Sequence, residues 1–306
     1  MKSIIIGLGN IGMNYDYSVS PKNKIQTHSQ ALNVSNFFEL SGGVDIFSKQ
    51  RKKFEKKFKK PSFNNIEKAM KIIKPSLVVI SVPTSIHSKI FYKILKYSFV
   101  KVILCEKPIA KKYCLAKKMI EEAKRKKKIL IINYFRNFEP GCREIIKNLK
   151  KKSIKKRFNI KIIYKKGLYN NASHYFDLLL NFMGKILKIE IISNKSFWKV
   201  FDPNPTFKVY FENGLADFLA KKNIKYCQMK IKSKSLNINY LNNGKLIKIK
   251  NYKNEKKIKS QFNFYQKFVY DNIESHLNKK TKLLIDMKKS LKLIKYLNTI
   301  ENKIYG

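Results

Sequence analysis

The residues most able to do chemistry fall in three places. Gly7, Gly9 and Gly12 stand with G-x-G-x-x-G spacing directly after the apolar run Ile4–Ile6. In such a turn the first glycine permits a tight bend, the second lets a pyrophosphate approach the backbone, and the third lets the next helix pack against the strand. The N-terminus of the next helix would then offer free N–H groups and a positive dipole end to phosphates, with Asn10 and Ile11 in the turn and Met13–Lys24 reading as a polar loop with Pro21. Glu106 and Lys107 end a second apolar run, Val100–Cys105, just before Pro108. A lysine so near a core needs a partner or a shifted pKa, which marks the pair as functional. His174 lies in Asn170-Asn171-Ala172-Ser173-His174, with Asp177 three residues on. An imidazole, with an ordinary pKa near ~6.5, trades a proton at neutral pH. At a helix start Asp177 would share its face, placed to orient it or to bind a hydroxyl. The other reading of His174 is a helix-cap or core histidine.

The elements that must position these residues alternate. Ile4–Ile6, Phe38–Phe47, Pro61–Phe63, Leu77–Val82, Val100–Cys105 and Ile129–Asn133 read as strands. Thr27–Asn36, Ser48–Lys60, Asn64–Lys74, Ile86–Tyr97 and Lys111–Lys128 read as helices between them. Strands alternating with helices give a parallel sheet with right-handed crossovers. Gly42 and Gly43 inside the second strand suggest a bulge. Asp45 stands near that strand's end, where a dinucleotide fold grips the adenosine ribose; a cap or surface acid is the other reading. Lys49 and Arg51 follow and suit a 2′-phosphate, so NAD and NADP both stay open. Pro83-Thr84-Ser85-Ile86-His87 leaves the fourth strand at its carboxyl end, the side on which such sheets bind ligands.

The chain has 306 residues, 44% of them hydrophobic, enough for two packed domains. Its apolar runs are too short to span a bilayer and its first residues lack a signal-peptide layout, so a soluble, cytoplasmic protein without membrane contact is expected. Cys105, Cys114, Cys142 and Cys227 form no C-x-x-C pair, which favours reduced thiols over a metal site. The formal charge is +47, yet only Arg51, Arg125, Arg136, Arg143 and Arg157 are arginines. Nucleic-acid readers lean on arginine for bidentate contacts. The lysines are spread along the chain, as A/T-rich codons would spread them. No specific nucleic-acid partner is expected; salt-sensitive attraction to anions is.

Four signals in order carry a resemblance: Gly7-x-Gly9-x-x-Gly12, Pro83 to His87, Glu106-Lys107-Pro108, and Asn170 to Asp177. Together they resemble the Gfo/Idh/MocA family of nicotinamide-dependent sugar oxidoreductases, and Asn133–Phe138 resembles that family's link between domains. The resemblance implies α/β architecture: a Rossmann domain over residues 1–133, then an α+β domain over 134–306 with a large, mostly antiparallel sheet. Its open face would carry the sugar site and a subunit interface, giving a homodimer or homotetramer. Phe158–Tyr164, Lys185–Ser193, Phe207–Phe211, Leu215–Ala220, Tyr226–Ile231, Leu236–Tyr240 and Leu246–Ile249 suit its strands, and Phe262–Leu277 and Met287–Ile300 its closing helices. Glu212-Asn213-Gly214 is a hairpin signal.

The function implied is hydride transfer between NAD or NADP and a hydroxyl-bearing carbon of a sugar or sugar nucleotide. His174 and Lys107 are the implied proton-handling pair. Gly7, Gly9, Asn10, Ile11, Gly12, Asp45, Pro83, Thr84, His87, Glu106 and Lys107 are implied at the cofactor, with His87 shaping its loop. Asn170, Asn171, Asp177 and Arg136 are implied at the sugar. One departure stands out: many relatives carry Asp where this chain has Asn170, and an amide cannot share a proton with His174. The asparagine-rich segment after Tyr164-Lys165-Lys166-Gly167 resembles relatives in surface-polysaccharide sugar synthesis, with Lys165 or Lys166 meeting a nucleotide's phosphates. The rival reading is a dinucleotide-sensing regulator on the same fold.

Overall fold

A computed structural model with side chains describes residues 1–151, 157–194, 198–199, 201–252, 254–281, 284 and 287–306. The chain forms two compact units: Met1–Phe135 with Asn263–Ile294, and Arg136–Phe262 with Lys295–Gly306.

The first unit is built on six strands: β1 (Lys2–Ile6), β2 (Glu39–Val44), β3 (Ser62–Phe63), β4 (Leu77–Ile80), β5 (Val102–Cys105) and β6 (Ile129–Ile132). Their order is β3-β2-β1-β4-β5-β6, and every pair is parallel. Ile4, Ile5, Val78, Val79, Ile103 and Leu104 are fully buried, which is why these strands read as unbroken apolar runs: both faces of a parallel sheet are covered. Five helices lie between the strands: α1 (His28–Asn33), α2 (Ser48–Phe58), α3 (Ile66–Ile73), α4 (His87–Ile94) and α5 (Tyr113–Arg125). α3 shows the local logic. Asn65 caps it, its side-chain oxygen accepting from Lys68 N at 2.9 Å, and Ile66, Ala69, Met70 and Ile73 form the buried stripe. Pairing of β1 with β2 slips at Ser41, next to Gly42, where the glycines suggested a bulge.

After Gly12 the chain leaves the sheet in a loop, and α1 starts only at His28. Met13 and Asn14 both donate to Gly9 O and Tyr15 donates to Asn10 O, closing one wide turn. The chain then loops to Thr27, which caps α1. Asp16 explains the loop: its buried carboxylate accepts from Gln26 N, Thr27 N and Thr27 Oγ1 at 2.6–3.0 Å.

The second unit holds α6 (Pro140–Leu149), β7 (Phe158–Tyr164), α7 (Ser173–Leu179), β8 (Ile186–Asn194), β9 (Pro205–Phe211), β10 (Gly214–Ala220), β11 (Gln228–Lys232), β12 (Leu236–Leu241), β13 (Leu246–Asn251) and β14 (Glu255–Lys259). Strand order is β14-β13-β12-β11-β7-β10-β9-β8; β7 and β10 are parallel and the other pairs antiparallel. β14 escapes sequence reading because Glu-Lys-Lys-Ile-Lys has one apolar residue; lysines suit an edge strand, which must refuse further pairing. Inward residues alternate along β7, β9 and β12, and Phe176 of α7 meets the rings of Phe207, Phe211 and Phe218. Two last helices follow, α8 (Tyr265–Leu277) and α9 (Met287–Tyr305). α8 belongs to the first unit and packs on α1. Among the described residues no helix is long and apolar enough to cross a membrane.

Phe176 is fully buried at the centre of an aromatic cluster. Phe176→Ala should therefore cost about 3–5 kcal/mol, the toll of a large cavity, read as a lowered urea midpoint with unchanged slope.

Candidate active site

The strand order reverses between β1 and β4, and the glycine loop sits at the carboxyl end of β1, beside that reversal. Its three glycines do different work. Gly7 takes φ +99°, and a Cβ there would lie 2.7 Å from Ser81 O. A Cβ on Gly12 would lie 2.1 Å from Gly7 O. A Cβ on Gly9 would meet nothing within 4 Å. The N–H groups of Gly9, Asn10, Ile11 and Gly12 donate to no acceptor among the described residues. Two packed glycines thus hold a third open to a pyrophosphate, with unspent donors around it. These residues fit a dinucleotide. Ser81, absent from the sequence reading, pins the loop by donating to Gly7 O at 2.7 Å. Asp45 follows β2 and accepts from Leu8 N at 2.7 Å and Phe47 N at 2.9 Å. Arg51 donates to the carbonyls of Asp45 and Ile46, both at 2.9 Å. The acid at the strand tip and the guanidinium beside it leave both NAD and NADP compatible with the site.

Glu106 stands at the end of β5. Its Oε1 accepts from Asn133 Nδ2 at 2.6 Å and His28 Nε2 at 3.0 Å, and its Oε2 from Lys107 N at 3.3 Å. Gln266 of α8 closes a ring, with Oε1 3.2 Å from Asn133 Nδ2 and Nε2 2.9 Å from His28 Nδ1. The carboxylate can only accept, so every direction in the ring follows from it. Asn133 must present its NH2, Gln266 must turn its oxygen to Asn133 and its NH2 to His28, and His28 must accept at Nδ1 and donate from Nε2. Tyr270 adds its hydroxyl 2.9 Å from the same Nδ1. Burial alone would raise the Glu106 carboxyl. The hydrogen bonds from His28 and Asn133 and the Lys107 ammonium together outweigh it and hold the group below its ordinary value. Lys107 is half-buried, and its bond to Pro108 is cis.

His87 is buried, with Nε2 2.9 Å from Val82 O and Nδ1 3.0 Å from Pro108 O. Burial pushes its pKa down against the pull of those carbonyls and of Glu106. It joins the Val82-Pro83-Thr84 turn to the Pro108 turn. Pro83 is exposed and Thr84 half-buried at the start of a short 3-10 turn, Thr84–Ile86.

The second unit carries the other expected residues. A π-helical turn, Leu168–Ala172, runs into α7, whose second residue is His174. Asp202 holds the turn's start: its carboxylate accepts from Tyr169 N at 2.8 Å and Asn170 N at 3.1 Å. Asn204 Oδ1 accepts from Gly167 N at 2.9 Å. Gly167 is required, since a Cβ would sit 2.1 Å from the Asp202 carboxylate. Asn170 is exposed, Asn171 half-buried and His174 buried. Asn171 Oδ1 lies 3.3 Å from Cys227 Sγ. Asp177, buried, accepts from Asn137 Nδ2 at 2.5 Å. Arg136 is buried too: its guanidinium lies 4.9 Å from the Tyr175 ring and 5.6 Å from that of Phe262, and its Nε donates to Tyr240 Oη at 3.1 Å. His28, Asn133, Gln266, Asp202 and Asn204 support these sites from distant points in the chain. The one local cue among them was the scarcity of histidine, which put His28 in a set of four.

Two predictions follow from this geometry. Gly9→Ala should leave stability within about 0.5 kcal/mol of the parent yet weaken NADH binding roughly tenfold or more, whereas Gly12→Ala should cost about 1–3 kcal/mol in folding; calorimetry and denaturation read the two apart. Glu106 gives a pH effect. Its folded carboxyl ionises below the ordinary value of 4.5, so its contribution to stability is complete above that pH and fades as pH falls through the lower folded value. A plot of stability against pH should fall less steeply below 4.5 in Glu106→Gln than in the parent.

Residues 1–134 match the family model described as "Oxidoreductase family, NAD-binding Rossmann fold". No curated protein matches the sequence. Solved structures similar in fold include a dehydrogenase (MviM) from Clostridium difficile at 20% identity, covering 99% of each chain with TM-score 0.78. UDP-N-acetylglucosamine 3-dehydrogenase GnnA from Acidithiobacillus ferrooxidans aligns at 13% identity, 99% of this chain and 97% of its own, TM-score 0.80. The WlbA dehydrogenase from Bordetella pertussis, in complex with NADH and UDP-GlcNAcA, aligns at 14% identity, 99% and 94%, TM-score 0.80. The matched segment, residues 1–134, carries the open glycine loop and Glu106, and it is similar to the NAD-binding Rossmann domain of the Gfo/Idh/MocA oxidoreductases.

Proposed function

We propose that the protein is an NAD(P)-dependent dehydrogenase or reductase acting on a hydroxyl-bearing carbon of a nucleotide-linked sugar, of use in surface-polysaccharide synthesis. The observation that carries the reading is the open space at Gly9 between two tightly packed glycines, which suits the close approach of a pyrophosphate. The nicotinamide, when bound, supplies the hydride acceptor or donor. The chain's own residues do the rest. Oxidising a carbinol removes a hydride from carbon and a proton from its oxygen, and the proton needs an acceptor with a matched pKa. His174 takes that part, at the start of a helix whose entry is fixed by Asp202. Lys107 donates a hydrogen bond to the reacting oxygen. The Glu106 ring fixes the lysine's backbone, and Asn170, Asn171, Asp177 and Arg136 serve the sugar side, directly or by holding its walls.

The names of two fold neighbours support the sugar-nucleotide class: one is a UDP-N-acetylglucosamine dehydrogenase, and the other was solved with NADH and UDP-GlcNAcA. Assembly as a homodimer or homotetramer is part of the proposal. It is supported by Ile163, Leu215 and Leu219, which stand half-exposed on β7 and β10.

His174→Ala should lower turnover by ~10²- to 10⁴-fold, the usual worth of a positioned base, with NADH affinity and melting temperature kept. Lys107→Ala should lower turnover as well. Absorbance of the reduced nicotinamide, followed across a panel of free and nucleotide-linked sugars, is the measurement. Undiminished turnover in His174→Ala would sink the assignment; NADH binding without turnover on any sugar would favour the regulator.

A further inference from the structure

The connection between β8 and β9 shows two large rings to solvent: Trp198 is 40% exposed and Phe201 64%. Lysines flank them. Lys199 Nζ lies 5.8 Å from the Trp198 ring centroid and 5.4 Å from that of Phe201, and Lys166 Nζ lies 5.7 Å from Trp198. Flat rings interleaved with ammonium groups are what a base and its phosphates need: the rings stack and the point charges neutralise.

This patch is fastened to the candidate sugar site. Asp202 N donates to Lys199 O at 2.9 Å, closing the aromatic turn. The same Asp202 holds Tyr169 N and Asn170 N through its carboxylate, and Asn204 holds Gly167 N. Asp202 and Asn204 thus tie the turn that carries the rings to the entrance of the His174 turn. From Gly167 to His174 is seven residues, roughly 10 Å at helical rise, a span that a ribose and a diphosphate can cover.

We infer that Lys166, Trp198, Lys199 and Phe201 bind the nucleoside diphosphate of a nucleotide-linked sugar whose sugar end reaches His174. This rests on the function proposed above and adds where, and by what chemistry, the nucleotide is held. No bond is made or broken in it.

Trp198 is the chain's one tryptophan, so intrinsic emission reads the patch directly. UDP added to the full-length protein without cofactor should quench that emission saturably. Phe201→Ala and Lys199→Ala should each raise the UDP dissociation constant at least tenfold while leaving NADH affinity, read by the cofactor's own fluorescence, unchanged. Three results would overturn the inference: no response to millimolar UDP; quenching by pyrophosphate alone as tight as by UDP, which means an anion patch only; or emission that follows protein concentration and self-association but ignores UDP, which means a subunit contact. Turnover of a sugar with Trp198 silent to UDP would remove this site and leave the dehydrogenase reading standing. Failure to bind NADH in a protein that UDP quenches would do the reverse.

Discussion

A carboxylate taken out of water must find donors for its lone pairs or cost several kcal/mol. Glu106 is in that position, and the arrangement of the first unit follows from how it is satisfied. Its donors come from the start of α1, the end of β6 and its own chain neighbour, with Gln266 and Tyr270 of α8 behind them. Meeting that demand here brings α1, β5, β6 and α8 to one point. The return of Asn263–Ile294 to the first unit, after the whole second sheet has been built, is in part the delivery of Gln266 and Tyr270 to that ring. Lys107 inherits the result. Glu106 Oε2 accepts its N–H, and His87 holds the carbonyl of the proline that follows it, so the lysine backbone is set from both sides.

The second unit solves a similar problem with the roles exchanged. At Glu106 side chains converge on a carboxylate to fix a strand end. At Asp202 a carboxylate reaches out to backbone N–H groups to fix a helix start. The four leading N–H groups of a helix lack intrahelical acceptors, and an anion there also meets the favourable end of the dipole. A π turn widens the entry, and the carboxylate fills the room that a Cβ at Gly167 would take. Asp202 thus does for His174 what the ring does for Lys107.

How far the sequence could be read depends on the range of each interaction. The six parallel strands, the spacing of Gly7, Gly9 and Gly12, and the Glu106-Lys107-Pro108 turn are local patterns, visible as apolar runs and punctuation. The alternation that marked β7, β9 and β10 is equally local. The polar loop between Gly12 and the helix at Thr27 is legible, but what orders it is not: the Asp16 carboxylate accepts from Gln26 N and Thr27 N, some ten residues on. Nothing in the string says that Asp202 and Asn204 hold Gly167 to Asn170. Gln266 sits in an amphipathic helix, where an inward glutamine looks like a pattern error. Its meaning appears only when Asn133 and His28 stand beside it. The three aromatic residues around Arg136 come from distant parts of the chain, and no spacing rule reports them.

The formal charge of +47 needs a physical account, because so large a like charge opposes compaction. The account is distribution. In α2 the buried stripe is Phe54 and Phe58, while Lys49, Lys52 and Lys56 stand exposed. Charges on such a face are hydrated, and at physiological salt their repulsion is screened beyond about 8 Å. Lys57 of the same helix behaves otherwise. Its ammonium lies 5.1 Å from the Tyr17 ring and 5.4 Å from that of Phe58, and donates to the carbonyls of Asp16 and Tyr17; burial pulls its pKa down, against the Asp16 charge. It therefore ties α2 to the loop that Asp16 organises, the same loop that ends at Thr27 and sets down His28. One lysine in this helix is structure and its exposed neighbours are a field. A field of that sign draws anions from a Debye length away, so its natural beneficiaries are ligands that carry phosphates.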